Sequence, residues 1–391
     1  MEYEIDYEHI YNSSPDMCFS VEAVTGRIVS CNETLLSTFG YTRQECLSMS
    51  LMQFYHPNYH QKVKENLESF SNFGSIIHTD FQLVKKNGEV MEASLQLKPV
   101  KDKYGITLYS NAVWRDISEL KEAERKLQKE KIKVEAQNSV IAGKSKDIID
   151  SINYAKRIQS AILPSTKNIR EALPESFILY KPKDIVAGDF YWMENIEEGL
   201  LFAVADCTGH GVPGALVSLI CNGALNHSVR EFGLKDTCKI LDKTRALVVQ
   251  EFEMSDENVS DGMDIGLFKL VGQKLYFSAA NNPLWIIRKG KLIEIKGDKQ
   301  AIGKSSAYHP FTTHKIELQK GDRFYLMSDG YRDQFGGPDG KKYKTRRLKE
   351  FLISIQQYSM SEQYKFLDIE FEDWKGDLDQ IDDVCIMGVS V

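Results

Sequence analysis

In the C-terminal half of this 391-residue sequence, aspartates stand where apolar runs stop or start: Asp189 in DIVAGDFYW, Asp206 in LLFAVADCTGHG, Asp329 in RFYLMSDGYRD, and the pair Asp382-Asp383 in IDDVCIMGVSV. One acid at a strand end is usually a turn residue, but several around one sheet converge, and their repulsion must be offset. Hard divalent cations do this, because Mg²⁺ and Mn²⁺ prefer oxygen ligands and keep several waters. Two such ions about 3.5–4 Å apart can share a hydroxide, lower its pKa and polarise a phosphoryl group for in-line attack. The residue types therefore point to metal-dependent hydrolysis of a phosphate ester. Gly188, Gly209, Gly211 and Gly330 beside the acids let backbone approach the ions and turn sharply.

His210, bracketed by two glycines, is the other residue that could do chemistry, as a general acid for the leaving oxygen. Two-metal hydrolysis also runs with water in that role, and we read GHG as shaping the turn into GVPGALVS. The other seven histidines follow no ligand spacing. Seven scattered cysteines with no CxxC pair argue against a disulfide framework and a thiolate metal site, so Cys207 stands out only by its neighbours.

These residues need a scaffold. LLFAVAD, DIGLFKL, QKLYFSAA, LWIIR, KLIEIK, RFYLMSD and VCIMGVSV read as strands, and VGQK, NNP, RKGK and KGD between them have turn chemistry. GALVSLICNGAL reads as a helix, giving a β-rich sandwich with helices on its outer faces. The first 117 residues read as a small α+β domain, with a hairpin at Asn87-Gly88 and capping residues ahead of NETLLSTFG and TRQECLS. Between the two lies a helix with an apolar ladder at every seventh residue, Leu120, Leu127, Val134, Ile141, Ile148, Ala155 and Ile162. Its companion seam is polar, including Asn138, Ser145 and Gln159, so the pattern fits a polar-seamed parallel coiled coil or a single solvated helix. The expected domains are 1–117, 118–164 and 165–391, with homodimerisation through the first two.

A net charge of −7 without a basic tract gives no footprint for nucleic acid. No apolar stretch approaches the roughly 20 residues of a membrane span, and the N-terminus is acidic, so a cytoplasmic protein is expected, with no membrane partner.

AKRIQSAILPS, PKDIVAGDFYW, FAVADCTGHGVPGALVS, ANNPLWIIRKGKL, KGDRFYLMSDGYRDQ and DDVCIMGV, in order over about residues 150–391, resemble PPM-type phosphatases of the stage II sporulation protein E class. The resemblance implies an αββα β-sandwich and hydrolysis of phosphoserine or phosphothreonine with two Mn²⁺ or Mg²⁺ ions. It assigns Asp189, Asp206, Asp329, Asp382 and the backbone carbonyl of Cys207 to the metals, with Asp383 as a weaker candidate. Two departures stand out: Ala187-Gly188 replaces a double glycine, and Asp264 in DGMDIGLF occupies a position expected to be small or apolar, where it either adds a ligand or caps the strand.

NSSPDMCFSVEAVTGRIVSCNETLLSTFGYTRQECL, HPNYHQKV, VKKNGEVMEASLQLKPVKDKYG and VWRDISELKEAERKL, over about residues 8–125, resemble a PAS sensor domain and its exit helix. Such domains bind small ligands, haem or flavin, or dimerise; nothing here selects a ligand, and HPNYH, with His56 and His60, reads as a surface turn rather than a haem site. The fold expectation is thus α+β and multidomain: PAS fold, coiled-coil linker, PPM-type sandwich. The functional expectation is a sensor-regulated serine/threonine phosphatase acting on a phosphorylated regulatory protein, with an anti-sigma-factor antagonist as the substrate that the resemblance suggests. The alternative is a degenerate phosphatase fold serving as a scaffold, against which the full set of aspartates counts. A histidine kinase or cyclase is set aside for want of a phosphoacceptor histidine box or a nucleotide-binding glycine loop.

Overall fold

The computed structural model describes residues 5–22, 25–73, 76–253, 261–305 and 308–391; for 67–73 and 76–78 it describes the backbone alone. Two compact units divide the chain, Met1–Ala142 and Gly143–Val391.

In the first unit, α1 (Tyr7–Ser13), β1 (Met17–Glu22), β2 (Ile28–Cys31), α2 (Glu33–Phe39), α3 (Arg43–Ser48) and α4 (His60–Phe73) precede β3 (Ile76–Val84), β4 (Val90–Lys101) and β5 (Thr107–Asp116). The five strands form one antiparallel sheet in the order β2-β1-β5-β4-β3. Local sequence chemistry sets the joints. Asn32 caps α2 by accepting from Leu35 N and also accepts from Cys18 N, and Thr42 and Glu45 form a capping box on α3. The Asn87-Gly88 turn joins β3 to β4, with Gly88 at φ 88°. Trp114 is the buried centre of the core, packed on Phe19, Phe39, Phe54 and Tyr55, and its Nε1 donates to the Tyr55 hydroxyl at 3.1 Å. His56 Nδ1 accepts from Asn58 N and a His60 ring nitrogen lies 3.0 Å from Tyr55 O, so both histidines serve the turn into α4.

Helix α5 (Ser118–Ile162) begins in the first unit and ends in the second. Its heptad residues Leu120, Leu127, Val134, Ile141 and Ile148 are all exposed, from 49% to 72%. Among the described residues no helix is long and apolar enough to cross a membrane.

The second unit continues with α6 (Thr166–Ala172), β6 (Ser176–Lys181), β7 (Phe190–Ile196), β8 (Gly199–Cys207), α7 (Gly211–Asn226), α8 (Thr237–Glu253), β9 (Met263–Val271), β10 (Lys274–Ala280), β11 (Leu284–Arg288), β12 (Lys291–Ile295) and β13 (His314–Glu317). After these come β14 (Arg323–Met327), α9 (Gly330–Asp333), the short pair β15 (Phe335–Gly336) and β16 (Lys341–Lys342), α10 (Thr345–Ser354), α11 (Met360–Lys375) and β17 (Val384–Ser390). Two five-stranded antiparallel sheets, β13-β10-β9-β8-β7 and β12-β11-β14-β17-β6, face one another. Phe202, Val204 and Phe268 of one meet Phe324, Leu326 and Met387 of the other. The outer face of the first sheet packs on α7 and α8 through Ala203, Ala205, Val217, Cys221 and Leu241. That of the second packs on α10 and α11 through Leu179, Tyr325, Leu352 and Leu367. The result is four layers, helix, sheet, sheet, helix.

Candidate metal centre

Strand alternation decides which side chains reach the space between the sheets. Along β8, Leu201, Ala203, Ala205 and Cys207 belong to the helix-side core, whereas Leu200, Phe202 and Val204 belong to the inter-sheet core. Asp206 continues the inter-sheet series at the end of β8, where the apolar filling stops. Asp264 of β9 stands directly opposite Asp206 in the ladder and shares its face. Like charges paired this way repel. From the second sheet, Ser328 is tied to β17: its main-chain N–H donates to Cys385 O and its hydroxyl oxygen accepts from Cys385 N–H, both at 2.9 Å. Asp329 follows, its amide 3.5 Å from Asp206 Oδ2.

Asp206, Asp264, Asp329 and Asp382 thus line one cleft of about 330 Å³, together with His210 and Lys304. Burial, then the charges of Asp329 and Asp382, push the Asp206 carboxyl up to about 8. Burial likewise raises Asp264 and Asp329 above the usual carboxylate range. Asp264 Oδ1 accepts from Asn281 Nδ2 at 2.8 Å, so this acid is both oriented and turned into the cleft.

Asp189 lies behind the cleft, 2% exposed, just before β7. Its Oδ2 is buried without a hydrogen-bond partner, and burial together with the Asp206 charge holds its carboxyl well above the ordinary range. An orphaned buried oxygen beside mutually repelling carboxylates is the environment a cation relieves, so the donor set fits hard divalent ions. Among the described residues no three His, Cys, Asp or Glu side chains close into a ready-made cage. Ions here would keep water in much of their coordination sphere, as Mg²⁺ does.

Asp383 plays a different part from Asp382. Buried, it accepts from Lys183 N and Gly188 N, each at 2.7 Å, and so straps the loop that leads to Asp189. The Cys207 thiol points into the helix-side core near Cys221, and burial pushes it far above its usual range, so its sulfur is inert. His210 is the N-cap residue of α7, yet its side chain makes no cap hydrogen bond. One ring nitrogen meets Asp184 Oδ2 and the other Lys183 Nζ, each at 2.9 Å.

The glycines interlock these segments. A Cβ on Gly188 would stand 2.3 Å from Gly209 O, and one on Gly214 would stand 2.2 Å from the same oxygen. Gly211 needs φ 62°, and a Cβ there would meet Asp184 Oδ2 at 2.9 Å.

Sequence reasoning missed several supporting residues. Gln159 of α5 is 4% exposed and bonded to Ala187 and Ser218; in the sequence it was one more polar residue of the companion seam. Asn281, Asp184 and Lys183 lay in or beside the recognised motifs, and their roles follow only from contacts between distant segments.

A family model described as stage II sporulation protein E (SpoIIE) matches residues 196–391, and a PAS domain model matches residues 15–119. Phosphoserine phosphatase RsbU of Bacillus subtilis (strain 168) is 27% identical over 203 residues, which is 50% of this chain and 57% of that protein. The chain thus spans little more than half the length of this curated relative. The solved SiaA-PP2C domain of Pseudomonas aeruginosa is 33% identical with a TM-score of 0.58, covering 63% of this chain and 98% of that domain. With half of the chain under the family model and the SiaA domain matched over nearly its whole length, the chain belongs to the stage II sporulation protein E family, its PP2C-type phosphatase fold preceded by a PAS domain.

Proposed function

We propose that this chain is a sensor-regulated, metal-dependent protein serine/threonine phosphatase that hydrolyses phosphoserine or phosphothreonine on a regulatory partner protein in the cytoplasm. The observation that carries the reading is the meeting of Asp206 with Asp264, Asp329 and Asp382 in one cleft between the sheets. RsbU, a phosphoserine phosphatase, supports the choice of residue class. An anti-sigma-factor antagonist is the partner that the sequence resemblance suggests.

In this reading Asp206, Asp329, Asp382 and the Cys207 carbonyl hold two Mn²⁺ or Mg²⁺ ions, with Asp189 behind them and Asp264 as an added ligand. Bound ions supply charge neutralisation and an activated water. The chain's own residues supply position: Asn281 orients Asp264, Asp383 straps the 183–189 loop, and Ser328 fixes the end of β14. The PAS domain and the exposed ladder of α5 form a homodimer, and a signal at the PAS domain shifts α5 between two states that differ in how firmly its last turns hold the 183–189 loop.

Turnover of p-nitrophenyl phosphate with Mn²⁺ tests this. Wild type should be active, and Asp206→Asn and Asp329→Asn should each lose on the order of 100-fold or more in kcat/KM. Absence of turnover with any divalent ion, on this ester and on phosphoserine protein alike, would sink the proposal.

A further inference from the structure

The cleft is rich in carboxylates, and a phosphomonoester arrives as a dianion, so the site needs a cation aimed at the substrate. The contacts of His210 identify one. A lysine ammonium only donates, so the ring nitrogen 2.9 Å from Lys183 Nζ accepts. The other nitrogen, 2.9 Å from Asp184 Oδ2, then carries the hydrogen of a neutral imidazole and donates it to the carboxylate. A doubly protonated ring would turn an N–H toward the ammonium. In this arrangement the hydrogen-bonding capacity of His210 is spent, which removes it as the proton donor to a leaving group and makes it a support.

Lys183 is held at both ends. Its main-chain N–H donates to Asp383 Oδ1 at 2.7 Å, and its ammonium rests on His210, which lines the cleft. Among the described residues no carboxylate lies within ion-pair distance of its Nζ: the imidazole stands between the ammonium and Asp184. Fixing a lysine side chain costs rotamer entropy, and here no direct ion pair compensates. A charge immobilised but left without a counter-ion is what an anion site requires.

We infer that Lys183, presented at the rim of the carboxylate cleft by the Asp184–His210 pair, binds the phosphoryl oxygens of the substrate. Lys183 is the substrate-binding group; His210 and Asp184 are positioning residues. The inference rests on the phosphatase reading and names how that site takes hold of its phosphate.

The test uses the full chain with Mn²⁺, p-nitrophenyl phosphate as substrate and inorganic phosphate as competitive inhibitor. Lys183→Ala should raise both KM and the phosphate inhibition constant about 10-fold while kcat falls less than about 3-fold, because binding common to ground and transition state is removed. Lys183→Arg should recover most of the loss, which a merely structural role would not predict. His210→Ala should raise both constants about 3-fold, and should add nothing in the Lys183→Ala background, since it acts through the lysine. An unchanged phosphate inhibition constant in Lys183→Ala, or a fall in kcat alone, would overturn the inference. Should wild type hydrolyse nothing, the phosphatase reading fails separately. Titration calorimetry of inorganic phosphate then decides the lysine: weaker binding by both Lys183→Ala and Lys183→Gln than by wild type upholds it, and equal or absent binding overturns it.

Discussion

The side-chain amide of Gln159 and the main chain of Ala187 form a closed two-way pair: Nε2 donates to Ala187 O at 2.5 Å, and Oε1 accepts from Ala187 N at 3.1 Å. The same Nε2 lies 3.0 Å from Ser218 Oγ on α7. The end of the long helix is thereby bonded to the residue two before Asp189 and to the helix that follows Asp206. Truncation to Ala would leave a buried N–H and C=O unpaired, a penalty of roughly 1–3 kcal/mol each. Support of this kind behind a metal site is worth about 10–100-fold in metal affinity. Gln159→Ala should therefore raise the Mn²⁺ concentration for half-maximal turnover about 10-fold. Gln159→Glu, which cannot donate to Ala187 O, should do the same. A Mn²⁺ titration superimposable on wild type would show that the pair only anchors the helix.

Glycine positions divide sharply by what surrounds them. Gly188→Ala and Gly214→Ala each drive a methyl into Gly209 O, a backbone atom that cannot rotate away. Each should cost on the order of 1–3 kcal/mol of the second unit's stability and most of its turnover. Gly223 on α7 has open space around its Cα, so Gly223→Ala should be neutral or stabilising by about 0.5–1 kcal/mol. Thermal melts of the three variants check the contrast; a tolerated Gly214→Ala would contradict the close packing of the two loops.

The apolar ladder of α5 is exposed at five positions between Leu120 and Ile148, and a solvated single helix gains nothing from such a stripe. A second copy would bury it. Leu127→Glu combined with Ile141→Glu should shift sedimentation equilibrium from dimer to monomer and weaken any response to a PAS-domain signal. A wild-type chain that sediments as a monomer at micromolar concentration would remove dimerisation from the proposal.

Much of this was legible in the sequence because alternation and capping are local. Apolar parity along LLFAVAD puts Asp206 on the face of Phe202 and Val204, and Asn32 and Thr42 announce their helices by residue type alone. What escaped depends on contacts between segments far apart in the chain. Gln159 weakened the heptad seam as a sequence feature, yet its polarity is what docks the helix on Ala187. Asp383 ranked below Asp382 as a metal ligand, but nothing local showed what else it does. That Asp382 lines the cleft while Asp383 accepts from the loop follows from one residue of parity and from two amide donors about 200 positions upstream, at Lys183 and Gly188. The conspicuous GHG triplet suggested chemistry or a turn. Its ring partners, Lys183 and Asp184, sit in another motif, so these contacts could not be read from the triplet.

Crowded carboxylates also leave a mark on the metal-free protein. The Asp206 carboxyl is raised to about 8 by burial and by Asp329 and Asp382, against roughly 3.9 in an unfolded chain. A raised folded value means that the native state holds a proton the unfolded state has released. The associated stability is complete below about pH 4 and is lost progressively as pH climbs toward 8. In EDTA the second unit should therefore melt lower at pH 8 than at pH 6. With allowance for partial exposure, the loss is on the order of 2 kcal/mol, or roughly 4–8 °C. Saturating Mn²⁺ should reverse it, because the ion replaces the proton as counter-charge, and its stabilising effect should grow with pH. Asp206→Asn removes the charge, so in EDTA it should melt above wild type at pH 8 and converge with it near pH 5. Differential scanning calorimetry at these three pH values checks the sign: a wild-type melting point that is flat or rises from pH 6 to 8 in EDTA would mean that the cleft does not raise the Asp206 carboxyl.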